Sequence, residues 1–144
     1  MTADQVRDQI REAFPPAAFY GTITSCTCEE CRDFDQNLRH KRWDEVPVEY
    51  IDFTCSPTLL TPEAFAAFLA ACLMRAMDNM TNKSTVCPNP EEEEQRAYRL
   101  ERVRVMNPDQ IQAVRSFLQY VANNAENADW FQDFIQPALA TIWK

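Results

Sequence analysis

The chain has 144 residues, and its 14 Lys and Arg against 22 Asp and Glu give a formal net charge of −8. Its hydrophobic fraction of 46% is ordinary for a folded globular domain, which excludes general disorder. A single glycine, Gly21, excludes the glycine-rich loops that bind nucleotide phosphates, and the acidic charge argues against nucleic acid and anionic membranes as partners.

The first predicted element is an amphipathic helix at the start of the chain. Val6, Ile10 and Phe14 recur at intervals of four residues, which is the spacing of one helical stripe. This helix must end before Pro15, because the residue that precedes a proline avoids the helical conformation.

A second helix is predicted after Gly21. Thr27 and Glu30 have the spacing of a capping box, in which two side chains satisfy backbone N–H groups at a helix start. We therefore expect this helix to run from about Cys28 to about Lys41.

The segment that follows the second helix has a mixed pattern. Val48–Phe53 is rich in residues that favour strands, but Pro47 and Pro57 bound it closely, so a loop or one short strand is expected. The alternation of Arg102–Val105 makes it the candidate for pairing with that strand.

The most apolar predicted helix begins at Thr61. Its hydroxyl caps the helix, Pro62 lacks an N–H where none is needed, and Glu63 places a carboxylate at the positive end of the dipole. Because apolar residues cover several of its faces, we expect this helix to be central. The stretch 79–90, with its Asn, Ser and Pro residues, predicts an exposed and flexible connection.

The last third of the chain predicts two further helices. Asn107 and Pro108 supply a cap and a first-turn proline, and the helix that they start is expected to end near Asn123. A final helix is expected from Asn127, kinked or divided by Pro137.

These elements predict a mainly α, single-domain bundle of about five helices over residues 1–144, with the short β pair as an addition. Residues 1–14 carry charges instead of the apolar run of a secretory signal. The longest uncharged stretch in the middle, Ala64–Met74, is shorter than the roughly 20 residues of a membrane span. We therefore expect a soluble, cytoplasmic protein whose cysteines stay thiols or bind metal.

Three cysteines within six residues form the most distinctive local motif. Cys26, Cys28 and Cys31 can converge on a soft metal ion, and zinc is the first candidate. A tetrahedral zinc site needs a fourth ligand, for which Cys55 and Cys87 are the candidates, although neither belongs to a second Cys-x-x-Cys pair.

Two other interpretations of these cysteines stay open. A thiolate at a helix N-terminus is stabilised by the helix dipole, which favours redox chemistry, but Glu29 and Glu30 oppose that stabilisation. Alternatively, Cys31 packs in the core as a small hydrophobic residue, as we expect of Cys72 in the central helix.

The sequence contains no catalytic signature. A cysteine nucleophile would need a histidine base, and His40 is the only histidine in the chain. His40 lies in Arg39–Arg42, a cationic stretch of the kind that the helix dipole favours at a C-terminus, so we interpret it as a solvated helix end. We therefore predict a protein that is not an enzyme and has no cofactor, zinc being the one alternative.

Acidic clusters predict a basic protein as the partner. The acidic residues of the second helix are Glu29, Glu30, Asp33 and Asp35, and those of the connection are Glu91, Glu92, Glu93 and Glu94. Such clusters accelerate association with a cationic surface. The expected function is binding without catalysis, most concretely that of an immunity protein or inhibitor that neutralises a basic toxin or nuclease.

A structural homo-oligomer is a further alternative. Its exposed aromatic residues would pair across a symmetric interface, and Trp143, beside the chain end, is the aromatic with the weakest signal for burial.

Four segments occur together in a distinctive order along the chain. They are Cys28-x-x-Cys31, Lys41-Arg42-Trp43, Leu59-Leu60-Thr61-Pro62-Glu63-Ala64, and Gln112-Ala113-Val114 with Phe117, Leu118 and Tyr120. In this combination the chain resembles a bacterial family of small helical proteins of unknown function. The resemblance implies a helical fold, and it implies no catalytic residue because the family is uncharacterised.

Overall fold

Helices make up nearly all of the regular structure in the computed structural model, which describes residues 1–24, 28–47, 49–50, 60–79, 100–124, 136, 138–140 and 143. The helices are α1 (Ala3–Ala13), α2 (Glu29–Leu38), a short 3-10 helix (Trp43–Glu45), α3 (Pro62–Asn79) and α4 (Pro108–Asn124). The prediction of a mainly α protein is confirmed.

Helix α1 has the predicted stripe and ends where the prediction places it. Its start is fixed by a capping box, in which Thr2 Oγ1 accepts from the Gln5 N–H at 3.2 Å and Gln5 Oε1 accepts from the Thr2 N–H at 2.8 Å. Val6 and Ile10 are fully buried. Phe14 caps the C-terminus directly before the proline pair.

Helix α2 starts one residue later than the predicted capping box requires. The N-cap residue is Cys28, whose carbonyl accepts the first helical hydrogen bond from the Arg32 N–H at 3.0 Å. The N-cap position that the predicted capping box assigns to Thr27 thus belongs to Cys28, so the box is a wrong prediction; Thr27 itself lies outside the described residues.

Helix α2 also ends earlier than expected, at Leu38 instead of about Lys41. Arg39 leaves the helical conformation with a ψ of 128°, and His40 follows with a φ of 61°. The chain thus turns sharply away from the helix axis immediately after the last buried residue of α2.

The predicted β pair is wrong. Tyr50, within Val48–Phe53, is helical, and so are residues 100–103 at the start of the proposed partner strand Arg102–Val105. The side chain of Arg102 is only 3% exposed, and its guanidinium donates a hydrogen bond to the Leu60 carbonyl. This tertiary contact overrides the local strand pattern.

Helix α3 is the central element, as its sequence predicts. Phe65, Phe68, Leu69 and Leu73 are each no more than 1% exposed. The helix packs against α1, α4 and the 3-10 helix. The 3-10 helix is joined to the end of α1 by the buried Trp43 side chain, whose Nε1 donates to the Phe14 carbonyl at 2.7 Å.

Helix α4 begins and ends as predicted. Asn107 is joined to Gln110 by reciprocal cap hydrogen bonds of 2.8 and 3.0 Å. Farther along α4, Arg115 donates to the Leu139 carbonyl at 3.2 Å and also to the Trp143 carbonyl. The side chain of Trp143 is 0% exposed, so this aromatic belongs to the core.

Some predictions fall on residues that the structure does not describe. They are the start of the final helix at Asn127, the connection after Asn79, and the acidic run Glu91–Glu94. Within the described ranges, no helix combines the length and the apolar character needed to cross a membrane.

Candidate functional site

Helix α2 carries most of the residues that the sequence singles out. Cys31, Phe34 and Leu38 form its buried stripe, and each is 3% exposed or less. The opposite face lies in solvent and includes Glu29 and Glu30, both exposed. This helix therefore has a fixed orientation, with its acidic residues directed away from the core.

The other two acids predicted on α2 have intramolecular partners. Asp33 Oδ2 accepts a hydrogen bond from the Tyr50 hydroxyl at 2.9 Å, and this bond raises the pKa of Tyr50 above its usual value. Asp35 Oδ2 accepts from the Thr24 hydroxyl at 2.8 Å. The structure thus divides the predicted cluster into Glu29 and Glu30, which face solvent, and two carboxylates that also hold neighbouring segments.

Two of the three clustered cysteines lie at the N-terminus of α2. Cys28 is exposed at the N-cap position, Cys31 is buried one turn later, and both are thiols. The Cys28 side chain makes no cap hydrogen bond to the first turn. Cys26 lies outside the described residues, and among the described ones no group of three His, Cys, Asp or Glu side chains is arranged to hold a metal. Zinc binding stays a prediction.

Cys72 differs from what the sequence predicts. It is buried in α3 with 1% exposure, as expected, but it is half of a disulfide. The expectation that the cysteines stay thiols or bind metal is therefore wrong for this residue. Disulfides form where two Cβ atoms lie about 3.5–4.5 Å apart, a distance that sequence spacing cannot give.

The C-terminus of α2 borders a cleft that the sequence does not predict. One wall consists of residues 20–23 and the other of Asp35, Arg39 and His40, around a volume of about 450 Å³. We call it the Tyr20–His40 cleft. Two of its lining residues stand out in the sequence, because Gly21 is the only glycine and His40 the only histidine of the chain.

Backbone hydrogen bonds fix the two walls of the Tyr20–His40 cleft to each other. The Phe19 N–H donates to the Lys41 carbonyl and the His40 N–H donates to the Phe19 carbonyl, both at 3.2 Å. Phe19 also packs edge-on against Phe68 of α3, with ring centroids 5.8 Å apart. The cleft is therefore anchored to the central helix.

His40 occupies a strained position in this wall. The Lys41 N–H donates to the Leu38 carbonyl at 3.1 Å, and the φ and ψ of Arg39, −58° and 128°, are those of a type II turn. The next residue of such a turn needs a positive φ, which favours Gly or Asn, and His40 adopts 61° there. Its ring contacts that of Tyr20, with the centroids 4.7 Å apart and the ring planes tilted by 39°.

The cationic stretch after α2 contains one engaged and one available guanidinium. Arg42 donates from Nε and Nη2 to the two carboxylate oxygens of Asp44, at 2.9 and 2.7 Å. These bonds lower the pKa of Asp44 and raise the pKa of Arg42. Arg39 is exposed, and no carboxylate of the described residues lies within ion-pair distance of it.

A smaller cleft of about 260 Å³ lies between α1 and α4. Gln9 and Glu12 line it from α1, and Asp109 and Gln112 line it from α4. Gln9 Oε1 is buried without a hydrogen-bond donor in the described structure. This acidic cleft was not predicted, because its residues come from helices about 100 positions apart in the chain.

Comparison with known proteins identifies the family of the chain but assigns no activity to it. No curated protein and no solved structure shows significant similarity to the chain. A family model matches residues 2–144, nearly the whole chain, so the protein belongs to a family of unknown function, DUF6714.

Proposed function

We propose that this protein binds a basic protein partner through the solvent face of α2 and does not act as an enzyme. The observation that carries this proposal is the fixed orientation of Glu29 and Glu30, which face solvent because the opposite stripe of α2 is buried. With a net charge of −8, such a face accelerates encounter with a cationic surface.

The acidic cleft between α1 and α4 supports the same proposal. Carboxylates of Glu12 and Asp109 line it together with two amide side chains, one of which, Gln9, has a buried acceptor without a donor. A lysine or arginine side chain brings both positive charge and N–H donors, which match this lining. An immunity protein or inhibitor that neutralises a basic toxin or nuclease is the most concrete form of the function.

The test compares two charge-reversal variants of equal net charge. E29K/E30K reverses the proposed face, and D4K/E63K reverses two exposed acids outside α2 that do not line the α1–α4 cleft; each variant changes the formal charge by +4, from −8 to −4. We expect the wild type and D4K/E63K to retain a cationic partner from the native lysate at low salt and to release it at about 0.5 M salt, where screening is strong. E29K/E30K should retain at least tenfold less of it.

Two results would contradict the proposal. One is equal loss of the partner in both variants, because that would reflect net charge instead of a defined face. The other is retention that does not respond to salt, because an electrostatic interface between exposed groups weakens as the Debye length shortens.

A thiol-dependent activity is the second candidate function, and the arrangement of two cysteines favours it. Cys28 is exposed at the N-cap and Cys31 is buried in the first turn. Positions three apart in a helix have Cα atoms about 5 Å apart, within the range that a disulfide spans. In exchange with a small disulfide, the Cys28 thiolate would attack one sulfur and release a thiol, and Cys31 would then displace the second thiol.

Trapping the intermediate tests this second candidate. With oxidised glutathione, C31S should accumulate a mixed disulfide on Cys28, whereas C28S should leave the buried Cys31 unmodified, as peptide mass mapping would show. Equal modification of both variants, or none, would contradict it. Protein purified without chelator that contains one equivalent of zinc, and whose melting temperature falls after chelation, would instead support the metal site of Cys26, Cys28 and Cys31.

A further inference from the structure

We propose that the Tyr20–His40 cleft binds a small anion that carries a planar ring, with the ring against the Tyr20–His40 pair and the anionic group at Arg39. This site is separate from the acidic face of α2 and does not depend on the protein-binding function. Its volume of about 450 Å³ lies within the roughly 300–1,000 Å³ of small-molecule sites.

The lining carries one positive and one negative side chain, Arg39 and Asp35, and Arg39 is the group that suits an anionic ligand. Arg39 is the exposed guanidinium of the lining and has no carboxylate partner among the described residues, whereas the neighbouring Arg42 is engaged by Asp44. Asp35, the one carboxylate of the lining, accepts the Thr24 hydroxyl. A guanidinium presents a planar fork of donors that matches carboxylate and phosphate groups, so Arg39 provides the anion contact.

The aromatic pair provides the platform for a ring. Tyr20 is 74% exposed, which is high for a large aromatic side chain, and its ring lies at 4.7 Å from that of His40. A planar ligand can pack against the exposed Tyr20 ring at the 4.5–7 Å centroid separation usual for aromatic pairs. The exposed tyrosine then loses contact with water when the ligand binds.

Backbone strain is located at the same place as the exposed ring. A left-handed φ is uncommon for residues with a Cβ, although asparagine and histidine adopt it more often than most, and glycine would satisfy the turn at the lowest cost. The chain nevertheless has His40 there, with its ring directed onto Tyr20. Strained residues are concentrated at functional sites, where side-chain chemistry outweighs the conformational cost.

The cleft is formed before any ligand binds. The two hydrogen bonds between residues 19 and 40–41 join its walls, and the Phe19 ring is packed between Phe68 and the only glycine of the chain. A side chain at Gly21 would bring its Cβ to 2.9 Å from Phe19 Cζ, closer than such atoms approach. Because the walls are already ordered, binding does not require folding of a loop.

Two residues of the lining are unique reporters for an NMR titration. Gly21 is the only glycine and His40 the only histidine of the chain, so the glycine amide and the imidazole C–H signals identify the cleft without full assignment. The probes are phenyl phosphate and benzoate, with inorganic phosphate and phenol as the matched compounds that lack the ring or the charge.

We expect phenyl phosphate or benzoate to shift both signals in a saturable manner. The probe that binds more tightly shows whether the site prefers phosphate or carboxylate. Inorganic phosphate and phenol should each bind at least tenfold more weakly. Arg39→Gln should weaken binding about tenfold or more, as expected for a lost charge-assisted hydrogen bond. Tyr20→Ala should weaken it about three- to tenfold.

Arg32→Gln is the matched control, because it removes an exposed arginine of α2 that does not line the cleft. Circular dichroism and the melting temperature of each variant verify its fold. No saturable shift at millimolar probe, equal binding of phosphate with and without the ring, or equal weakening by Arg32→Gln and Arg39→Gln would overturn the proposal. None of these outcomes bears on the acidic face, which is tested with different variants and a different ligand.

Discussion

At the scale of the residue, the backbone conformation of His40 changes how the cationic stretch around it is interpreted. Its place in a cationic helix end indicated a solvated cluster, and the side chain is indeed exposed. Its φ of 61°, however, places it at the turn position that favours glycine, beside an exposed tyrosine. No pattern of charges in the sequence contains this information, because it depends on how the chain returns to residue 19.

Paired substitutions at position 40 measure the free-energy cost of the positive φ. His40→Gly and His40→Ala both remove the ring contact with Tyr20, so their difference isolates the backbone conformation. We expect the glycine variant to be more stable by about 1 kcal/mol in chemical denaturation, because alanine retains the Cβ that opposes a left-handed φ. At Gln36, an exposed position within α2, the order should be reversed, with alanine more stable by about 1 kcal/mol. A more stable alanine at both positions would contradict the assigned conformation.

Also at the scale of the residue, the structure shows what surrounds the only glycine of the chain, Gly21. The sequence explains why helices capped by Thr and Asn need little glycine elsewhere. The structure explains what a side chain there would meet, because a Cβ at position 21 would lie 2.9 Å from Phe19 Cζ and the ring would have to shift. Gly21 thus serves close packing beside the Tyr20–His40 cleft.

At the scale of the element, the acidic residues of α2, which the sequence placed in one cluster, divide into two groups. Asp33 and Asp35 hold Tyr50 and Thr24, which fixes the segments before and after the helix. The apolar stripe predicted the buried face correctly, whereas the predicted capping box was wrong. Neither pattern could separate carboxylates that bond within the chain from Glu29 and Glu30, because the bonding partners come from distant positions.

The Asp33–Tyr50 bond predicts a pH dependence of stability. Because the folded-state pKa of Tyr50 is raised, mainly by the hydrogen bond to Asp33, the unfolded chain loses the phenolic proton first. The contribution of this group is therefore complete below pH 10, the ordinary pKa of a tyrosine, and is lost as pH rises through the folded-state pKa.

Ultraviolet titration of the tyrosines measures this effect. Tyr50→Phe should remove a component that ionises above pH 10, and Asp33→Asn should move that component toward 10, because the carboxylate acceptor and its charge are both removed. An unchanged titration in Asp33→Asn would show that the carboxylate does not control this phenol.

At the scale of the whole molecule, the disulfide of Cys72 constrains the central helix. Removing a native disulfide usually destabilises a domain by about 2–5 kcal/mol. We therefore expect a reductant to lower the melting temperature of the wild type by several degrees. Cys72→Ala, which lacks the bond from the start, should melt at the same temperature with and without reductant.

Peptide mapping under nonreducing conditions would identify the second half-cystine, and the same map of protein from intact cells tests the expected cytoplasmic location. Structural disulfides are rare in that compartment. A wild type whose melting does not respond to reductant would contradict the disulfide.

The sequence by itself determined the helical class, the start of α3 at Pro62, the start of α4 at Pro108 and the buried stripe of α2. These features depend on caps and on periodicity within about 20 residues, which local physics fixes. Only the tertiary structure decided that Arg102 is buried against Leu60, that Cys72 is oxidised, and which residues line the Tyr20–His40 cleft and the cleft between α1 and α4. Each of these depends on contacts between distant parts of the chain, whose geometry is set by packing of the whole core.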